Sequence, residues 1–340
     1  MVLFSILRTA LDAIAPIVLL IAVGYVLRRK HFITEEFVRI GGKVGFSLFL
    51  PCSLFMNVYN IGSLDVIAWD MVLYSVAMVC VLFLLGVPAS GLATHDPRRR
   101  GVVLQCVFRS NVAIIGLPLA RALGGEEAAA ATSMIIAFTL PVLNIGAVTA
   151  LSLYVGGEGN RVDYRQILRK IVKNPLIRGI ALGLAVQLLR ALQIRHYGRV
   201  VLSMKEDMTI LYKAVQDLGK IASPFMLVIL GGEFDFSACR GMAKEITHGI
   251  LWRVVLSPII AIGTAIFLTQ GLGILHCTSA YYPAMIALFG SPTAVSSSVM
   301  AGQMGNDEQL ATQLVVWTSI VSVGTMFLTA CILMATGLIT

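Results

Sequence analysis

Long apolar stretches recur along the whole chain, and they constrain its fold more than any other feature of the sequence. Each is near or above the ~18 residues that an α-helix needs to cross a hydrocarbon core of about 30 Å. Hydrophobic residues make up 57% of the 340 positions and charged residues only 13%. Soluble domains carry roughly 25% charged residues. The sequence therefore predicts an all-α integral membrane protein that crosses a lipid bilayer many times.

Ten apolar stretches predict ten transmembrane helices. Their approximate ranges are 10–28, 38–58, 68–92, 101–122, 127–155, 172–193, 212–232, 246–270, 279–302 and 309–338. The boundary between the eighth and the ninth is the least distinct, because residues 271–278 carry no formal charge. The second, fourth, seventh and ninth predicted helices contain Pro51, Pro118, Pro224 and Pro292 respectively. A proline inside a helix removes a backbone hydrogen bond that neighbouring groups must replace.

The basic residues collect in loops on one side of the predicted membrane. That side holds the loops 28–39, 94–101, 156–173 and 232–245, whereas the other side holds Arg8 and a smaller group in 194–213. Because Lys and Arg are retained on the cytoplasmic face, the bias predicts a multi-pass protein of the inner (plasma) membrane with both termini outside. The net charge of +8 arises from these short loops and indicates no nucleic-acid partner.

Two polar segments, 108–131 and 289–312, resemble each other within the chain. Pro16–Leu27 and Pro175–Val186 match more weakly in the same order, and Pro51 corresponds to Pro224. The identical pairs in the polar segments are Phe108/Phe289, Ser110/Ser291, Ala113/Ala294, Ala120/Ala301, Gly124/Gly305, Glu127/Glu308 and Ala130/Ala311. We therefore predict a first repeat over 1–155, a cytoplasmic linker over 156–171 and a second repeat over 172–340.

Each repeat has five predicted helices, an odd number, so the two copies must lie in opposite orientations across the membrane. Inverted repeats with interrupted helices are a recurring architecture of secondary transporters, in which the substrate site lies at the repeat interface near the midplane.

The repeated polar segments contain the candidate site residues. A helix that breaks inside a membrane leaves unpaired N–H groups at the start of its second half, and these can bind an anion. Ser and Asn are suited to cap such a break. Contacts between packed helices are the alternative role for small polar residues. The candidates are Arg109, Ser110 and Asn111 in the first segment and Ser291, Pro292, Ser296 and Ser297 in the second, with Asn57 and Asn144 as further polar residues inside predicted helices.

Arg109 is the candidate partner for a substrate carboxylate. An arginine inside a transmembrane helix costs at least ~2.5 kcal/mol on insertion scales, so it normally faces a cavity or a partner. The alternative is that Arg109 extends to the lipid head groups, because Arg98–Arg100 lie shortly before it. Arg121, Arg178 and Arg253 are assigned to that second role, because they lie nearer to predicted helix ends.

The acidic residues indicate the charge of the solute by their positions. All 18 Asp and Glu residues fall in loops or near predicted helix ends. The sequence therefore predicts no carboxylate in the interior to relay a proton, as pumps and many symporters require. An interior that is neutral to positive suits an anionic solute.

Enzyme, cofactor and metal sites are not predicted. The chain has no Walker loop, GxSxG or HExxH motif, and its five histidines are scattered. Its six cysteines show no CxxC or other ligand spacing. Gly179 and Gly183 form a GxxxG motif, a pattern typical of helices that dimerise.

At these segments the sequence resembles the auxin efflux carrier family, whose members include plant auxin exporters and bacterial malonate or malate carriers. The similarity runs through PIVLLIAVGYVLRR (16–29), LPCSLF (50–55), FRSNVAIIGLPLA (108–120), LPVLN (140–144), NPLIRGIALGL (174–184), SPFMLVILGG (223–232) and SPTAVSSSVMAG (291–302). Because the linker 156–173 is short, unlike the long hydrophilic loop of many plant exporters, a bacterial-type carrier is expected. The second crossover lacks an Asn and offers Ser296–Ser298 instead.

The resemblance implies ten helices in two inverted repeats, with the fourth and ninth broken and crossing beside the substrate. Asn111, Pro118 and Pro292 match the crossover positions, and Asn144 matches a polar residue near the substrate. A homodimer is implied, in which helices one, two, six and seven form a scaffold and the others move in an elevator-type mechanism. The implied solute is a small organic anion, auxin-like or malonate-like.

Two alternatives remain at this point. The related bile-acid/sodium symporters share the crossover and require acidic and Gln ligands around the ninth helix, for which Gln303, Asp307 and Glu308 are the candidates. A transporter-like receptor or channel would need a sensor, and residues 194–212 are the only long extra stretch on the predicted outer side.

The predicted orientation is testable at the linker. A cysteine introduced at Gly159 is expected to be protected from a membrane-impermeant maleimide in intact cells and labelled after permeabilisation, because the loop is predicted to be cytoplasmic. The unmodified protein, with its own six cysteines, is the control. Labelling at position 159 in intact cells would show that the predicted orientation is wrong.

Overall fold

The fold is a bundle of α-helices, several of which are interrupted. The computed structural model describes residues 2–60, 68–154, 169 and 172–339. The predicted linker 156–171 lies outside these residues apart from Arg169. The helices are α1 Val2–Arg29, α2 Glu35–Tyr59, α3 Trp69–Ala93, α4 Pro97–Phe108, α5 Val112–Leu153, α6 Pro175–Tyr197, α7 Thr209–Glu233, α8 Cys239–Gly271, α9 Tyr281–Gly290, α10 Ser296–Gln303 and α11 Glu308–Ala335, with a single helical turn at Met204–Asp207.

Seven of these helices are long and apolar enough to cross a membrane. They are α2, α3, α5, α6, α7, α8 and α11, and α9 is a shorter apolar helix. The predicted class, an all-helical multi-pass membrane protein, is confirmed for the described part of the chain. The count of ten transmembrane helices and the inverted repeat remain predictions.

Helix α5 contains the turn that the sequence placed between the fourth and fifth membrane helices. Gly124 and Gly125 have non-helical backbone angles, with φ of −142° and 66° respectively. The φ of Gly125 lies in the left-handed region, which glycine adopts without the steric cost of a Cβ. Beside this turn the exposed Arg121 forms an ion pair of 2.9 Å with Glu126.

Prolines shape three helices through wide π-helical turns. Pro51, Pro118 and Pro258 each follow such a turn, which spans Gly45–Phe49, Val112–Gly116 and Leu251–Leu256 respectively. A proline has no N–H, and its ring clashes with the carbonyl four residues earlier. That carbonyl falls inside the π-turn in all three helices, so the turn accommodates the proline without ending the helix.

The helices pack in two groups. In the first group α1 packs on α7, and α2 packs on both α6 and α7. In the second group α3, α4 and α5 pack together, α5 contacts α9, and α11 contacts α8 and α10. Contacts of α1 with α11 and α5, and of α6 with α5, join the groups.

The GxxxG motif of α6 is used within the chain. Gly179 and Gly183 are buried, and a Cβ at either position would collide with Pro51 or Val58 of α2. These glycines allow close approach of two helices of the same chain. The motif therefore gives no support to a dimer.

Charged contacts tie together three ends of the second group. Arg99 at the start of α4 forms ion pairs with Asp307 at 3.0 Å and with Glu245 of α8 at 3.1 Å. Arg98 donates to the carbonyl of Gly305 at 3.1 Å. The starts of α4, α8 and α11 are thus held in one position.

We expect Arg99→Ala to lower the midpoint of thermal unfolding in detergent, because the substitution removes hydrogen bonds to two carboxylates. One hydrogen bond to a charged group contributes roughly 1.5–3 kcal/mol to stability. The matched control is Arg39→Ala, since Arg39 pairs with the exposed Glu36 at 3.7 Å. An exposed pair contributes about 0–1 kcal/mol. Equal midpoints for the two variants would contradict the role of Arg99.

Candidate functional site

Two helix breaks lie against each other in the interior. Helix α4 ends at Phe108 and α5 begins at Val112, while α9 ends at Gly290 and α10 begins at Ser296. The backbone segments between them form an antiparallel bridge at Ser110 and Thr293. Both breaks fall within the two repeated polar segments where the sequence predicted them.

Backbone hydrogen bonds hold the breaks together. The N–H of Asn111 donates to the carbonyl of Pro292 at 2.8 Å, and the N–H of Ala294 donates to the carbonyl of Arg109 at 3.4 Å. Broken helices leave backbone groups that cannot reach water in a membrane, so such groups need partners within the protein. Each break supplies partners to the other.

Arg109 lies inside the protein at this junction and is 3% exposed. Its Nη2 donates to Oδ1 of Asn144 at 3.1 Å and to Oγ of Ser296 at 2.9 Å. Its Nη1 contacts Sδ of Met300 at 2.9 Å. The guanidinium therefore joins α5 and α10 across the breaks. Arg109 lies in the interior of the protein and does not extend to the lipid head groups.

Several polar atoms of the residues that adjoin Arg109 and Ser296 in the sequence are buried without a hydrogen-bond partner among the described residues. They include Oγ of Ser110, Nδ2 of Asn111 and Oγ of Ser297, whose residues are 4%, 5% and 1% exposed. A buried polar atom left unpaired costs roughly 1–3 kcal/mol, and each such group in a folded protein calls for an explanation. A polar ligand at the breaks would satisfy them.

The remaining predicted residues lie in three places: the second break, helix α5 and helix α2. Ser291 and Pro292 are buried within the second break, where Oγ of Ser291 donates to the carbonyl of Ala287 at 2.5 Å. Pro118 is exposed on α5, beyond the π-turn that follows the first break. Asn57 is exposed on α2 and makes no hydrogen bond to Arg109 or its partners in the described structure. The structure thus brings together Arg109, Asn144 and Ser296, with Ser110, Asn111 and Ser297 beside them.

Arg253 corrects one assignment made from the sequence. Arg121 and Arg178 are exposed, as expected of arginines near helix ends. Arg253 is 0% exposed, and its guanidinium donates to backbone carbonyls at both breaks. The expectation that it extends to head groups is wrong, because its position seven residues inside the predicted helix 246–270 places it over the breaks.

Glu233 is a residue that the sequence analysis did not select, and it contacts a hydroxyl of the second polar segment. It ends α7, as predicted, but its Oε2 accepts a hydrogen bond of 3.0 Å from Oγ of Ser298 on α10. Oγ1 of Thr312 lies 2.7 Å from the same hydroxyl. The carboxyl of Glu308 also lies against Glu233. A carboxyl pair therefore joins α7 to the half-helix that carries Ser296 and Ser297.

The carboxyl pair lies in a cavity between the two helix groups. The cavity measures about 850 Å³ and is lined from the first group by α1, α2 and α7 and from the second by α10 and α11. Its charged side chains are of both signs: Arg28, Arg29, Arg39, Glu35, Glu233, Asp235 and Glu308. Outside the helices, hydrogen bonds from Ser237 lower the pKa of Asp235. Within the described residues, no three His, Cys, Asp or Glu side chains are grouped to bind a metal ion.

Comparison with known proteins identifies the family of this chain. A search of curated proteins finds no match. A family model described as "Membrane transport protein" matches residues 9–330 and so includes both helix breaks, Arg109 and the buried Arg253. On this match over nearly its full length, the chain belongs to the auxin efflux carrier family of membrane transport proteins.

Proposed function

We propose that this protein is a secondary active transporter or uniporter that moves a small organic anion across the membrane. The observation that carries the proposal is the buried guanidinium of Arg109 between two helix breaks, among polar atoms without partners. A membrane transporter is what the family match shows. The solute class, the mechanism and the coupling are our inference.

The charge at the breaks favours an anion. The hydrogen-bond partners of Arg109 that the structure describes, Asn144, Ser296 and Met300, are all uncharged. The first turns of α5 and α10 begin at the breaks, and the amino end of a helix carries a partial positive charge. A carboxylate fits a guanidinium through two parallel hydrogen bonds. A carboxylate of auxin-like or malonate-like size is therefore our proposed substrate.

The packing of the helices supports an elevator-type movement. The helices α1, α2, α6 and α7 form the first group, and both breaks belong to the second. If the first group is a fixed scaffold, the second can carry the site across the membrane as one body. We include in this proposal the ten transmembrane helices, the inverted repeats with crossing fourth and ninth helices, and a homodimer.

A cation-coupled symporter is the second candidate, and the contact of Glu233 with Ser298 is the observation that favours it. Asp307 is engaged elsewhere, because it pairs with Arg99 and accepts from the N–H of Leu310 at 2.9 Å. Gln303 is exposed at the cavity. Of the acidic candidates for a sodium ligand, only Glu308 lies beside the half-helix α10.

The proposal is tested by ligand screening and flux. Purified protein is heated with small mono- and dicarboxylates, including malonate, malate and indole-3-acetate, since a ligand that binds the folded state raises its stability. Uptake of any hit is then measured in proteoliposomes. A carrier gives saturable uptake that is accelerated by counter-transport, whereas a channel gives neither. No stabilisation by any carboxylate, with no flux, would refute the proposal.

Substitutions of Arg109 test its role in binding. We expect Arg109→Gln to weaken carboxylate binding by roughly 1.5–3 kcal/mol, the scale of a hydrogen bond to a charged group. Arg109→Lys should retain only part of the wild-type affinity for the carboxylate, because an ammonium is a point charge without the planar fork of a guanidinium. Affinities are measured on monodisperse protein, with Arg121→Gln as the control on an exposed arginine. Wild-type affinity in Arg109→Gln would contradict the assignment.

Asn111→Ala tests the break itself. The side-chain amide has an unpartnered donor at the site, while the backbone N–H that bonds to Pro292 is retained in the variant. We therefore expect reduced transport by a protein that still folds. The control is Asn57→Ala, since Asn57 is exposed on α2. Equal loss in both variants would show that Asn111 has no special role.

Glu233→Gln distinguishes the two candidate functions. In a cation-coupled symporter the loss of the carboxylate should reduce uptake driven by a proton or sodium gradient several-fold and leave substrate exchange intact. In a uniporter a proton or sodium gradient should not accelerate uptake even in the wild type, and Glu233→Gln should leave the exchange rate at the wild-type value. The two rates are compared in proteoliposomes, with the exposed Glu36→Gln as the control. Loss of exchange together with driven uptake would place Glu233 in substrate binding instead.

A further inference from the structure

One buried arginine contacts the carboxyl ends of both broken helices. Arg253 lies on the π-turn Leu251–Leu256 of α8 and is 0% exposed. Its Nη1 donates to the carbonyl of Val107 in the last turn of α4, at 3.2 Å. Its Nη2 donates to the carbonyls of Leu288 and Phe289 in the last turn of α9, at 3.0 and 2.8 Å.

The fourth contact lies in the break itself. Nε of Arg253 donates to the carbonyl of Ser291 at 2.9 Å. Ser257, one turn further along α8, donates to the same Val107 carbonyl at 2.9 Å. The acceptors are thus neutral carbonyls, and the last carbonyls of a helix carry the partial negative end of its dipole. The two helix ends provide the opposite charge that Arg253 needs in the interior.

We infer that Arg253 is the positioning residue of the site, and that its guanidinium fixes the two breaks relative to each other. The inference rests on the proposed function in placing the substrate at these breaks. Arg109–Asn111 follow directly after the α4 end that Arg253 binds. Ser296 and Ser297 follow the break that it binds at Ser291. A shift of either helix end moves donors on both sides of the substrate.

The shape of the guanidinium is what the role requires. Its planar fork directs donors to acceptors on two helices at once, whereas an ammonium is a point charge on a flexible stem. Arg253→Lys keeps the charge and loses the fork. An arginine that only stabilises the fold would lower the unfolding temperature without changing the geometry of the folded site.

A cross-link measures that geometry without any ligand. Sγ of Cys106, the residue before Val107, lies 3.2 Å from Oγ1 of Thr293, two residues after Ser291. Thr293→Cys therefore places a second thiol at a contact between the two segments that Arg253 joins. Oxidation with copper phenanthroline should link Cys106 to position 293, and mass spectrometry of the digested protein identifies the link.

We expect Arg253→Lys to slow this cross-link by about tenfold, because disulfide formation tolerates little displacement of the two residues. The matched control is Arg190→Lys. Arg190 also donates to a carbonyl at a helix end, that of Tyr59 at 3.1 Å, but on α2 and away from the breaks. An unchanged cross-linking rate in folded Arg253→Lys, or an equal slowing in Arg190→Lys, would overturn the inference.

A milder variant covers the case in which Arg253→Lys does not fold. Ser257→Ala removes one donor to the Val107 carbonyl and leaves Arg253 in place. Ser257→Ala should slow formation of the cross-link by about threefold, because a disulfide forms only when the two residues keep a narrow range of positions. The wild-type rate in Ser257→Ala, with Arg253→Lys unfolded, would overturn the inference and leave Arg253 as a residue of the fold alone.

Binding of malonate and indole-3-acetate, measured by calorimetry, connects position to function. We expect the Kd of a bound probe to rise about tenfold or more in Arg253→Lys, since small displacements at a site cost up to ~100-fold. Arg190→Lys should keep the wild-type Kd. An unchanged Kd in Arg253→Lys would overturn the inference. If the wild type binds neither probe, the proposed solute class fails, and the cross-linking rate alone decides the role of Arg253.

Discussion

The structure depends on one constraint, that backbone groups freed by a broken helix must find partners inside the protein. Within a membrane each unpaired N–H or C=O costs several kcal/mol. Here two breaks meet, and each supplies a backbone partner to the other through Asn111, Pro292 and Ala294. Arg253 then donates to carbonyls at the ends of α4 and α9 that the backbone hydrogen bonds between the breaks leave free. Neither break could be buried alone at the same cost.

The same constraint explains why polar residues concentrate in two short segments. Many hydroxyls elsewhere in the described helices bond to their own backbone, as Ser75, Thr132 and Thr139 do with the carbonyl four residues earlier. Such residues need no partner from another helix. At the breaks the hydroxyls of Ser110 and Ser297 lack this option in the described structure. Under the proposed function, these unpaired hydroxyls at the breaks are available to a solute.

The positions of the breaks follow from the sequence, because two similar polar segments, 108–131 and 289–312, predict where two helices share a constraint. The matches of Ser110 with Ser291 and of Phe108 with Phe289 located both breaks. Arg253 and Glu233 were missed because their roles depend on which helices pack together, which no local pattern reveals. The nearest signals were the depth of Arg253 inside an apolar stretch with Ser257 and Pro258 after it, and the position of Glu233 immediately after an apolar helix with two glycines.

The two interior arginines divide the partial charges of the broken helices between them. The carboxyl ends of α4 and α9 are negative and lie at Arg253, so that guanidinium and those ends offset each other. The amino ends of α5 and α10 are positive and lie at Arg109, whose described partners are neutral. The uncompensated charge at the breaks is therefore positive and is confined to the side of Arg109. Under the proposed function, a bound anion would complete this balance, and its release would restore the positive charge that favours binding.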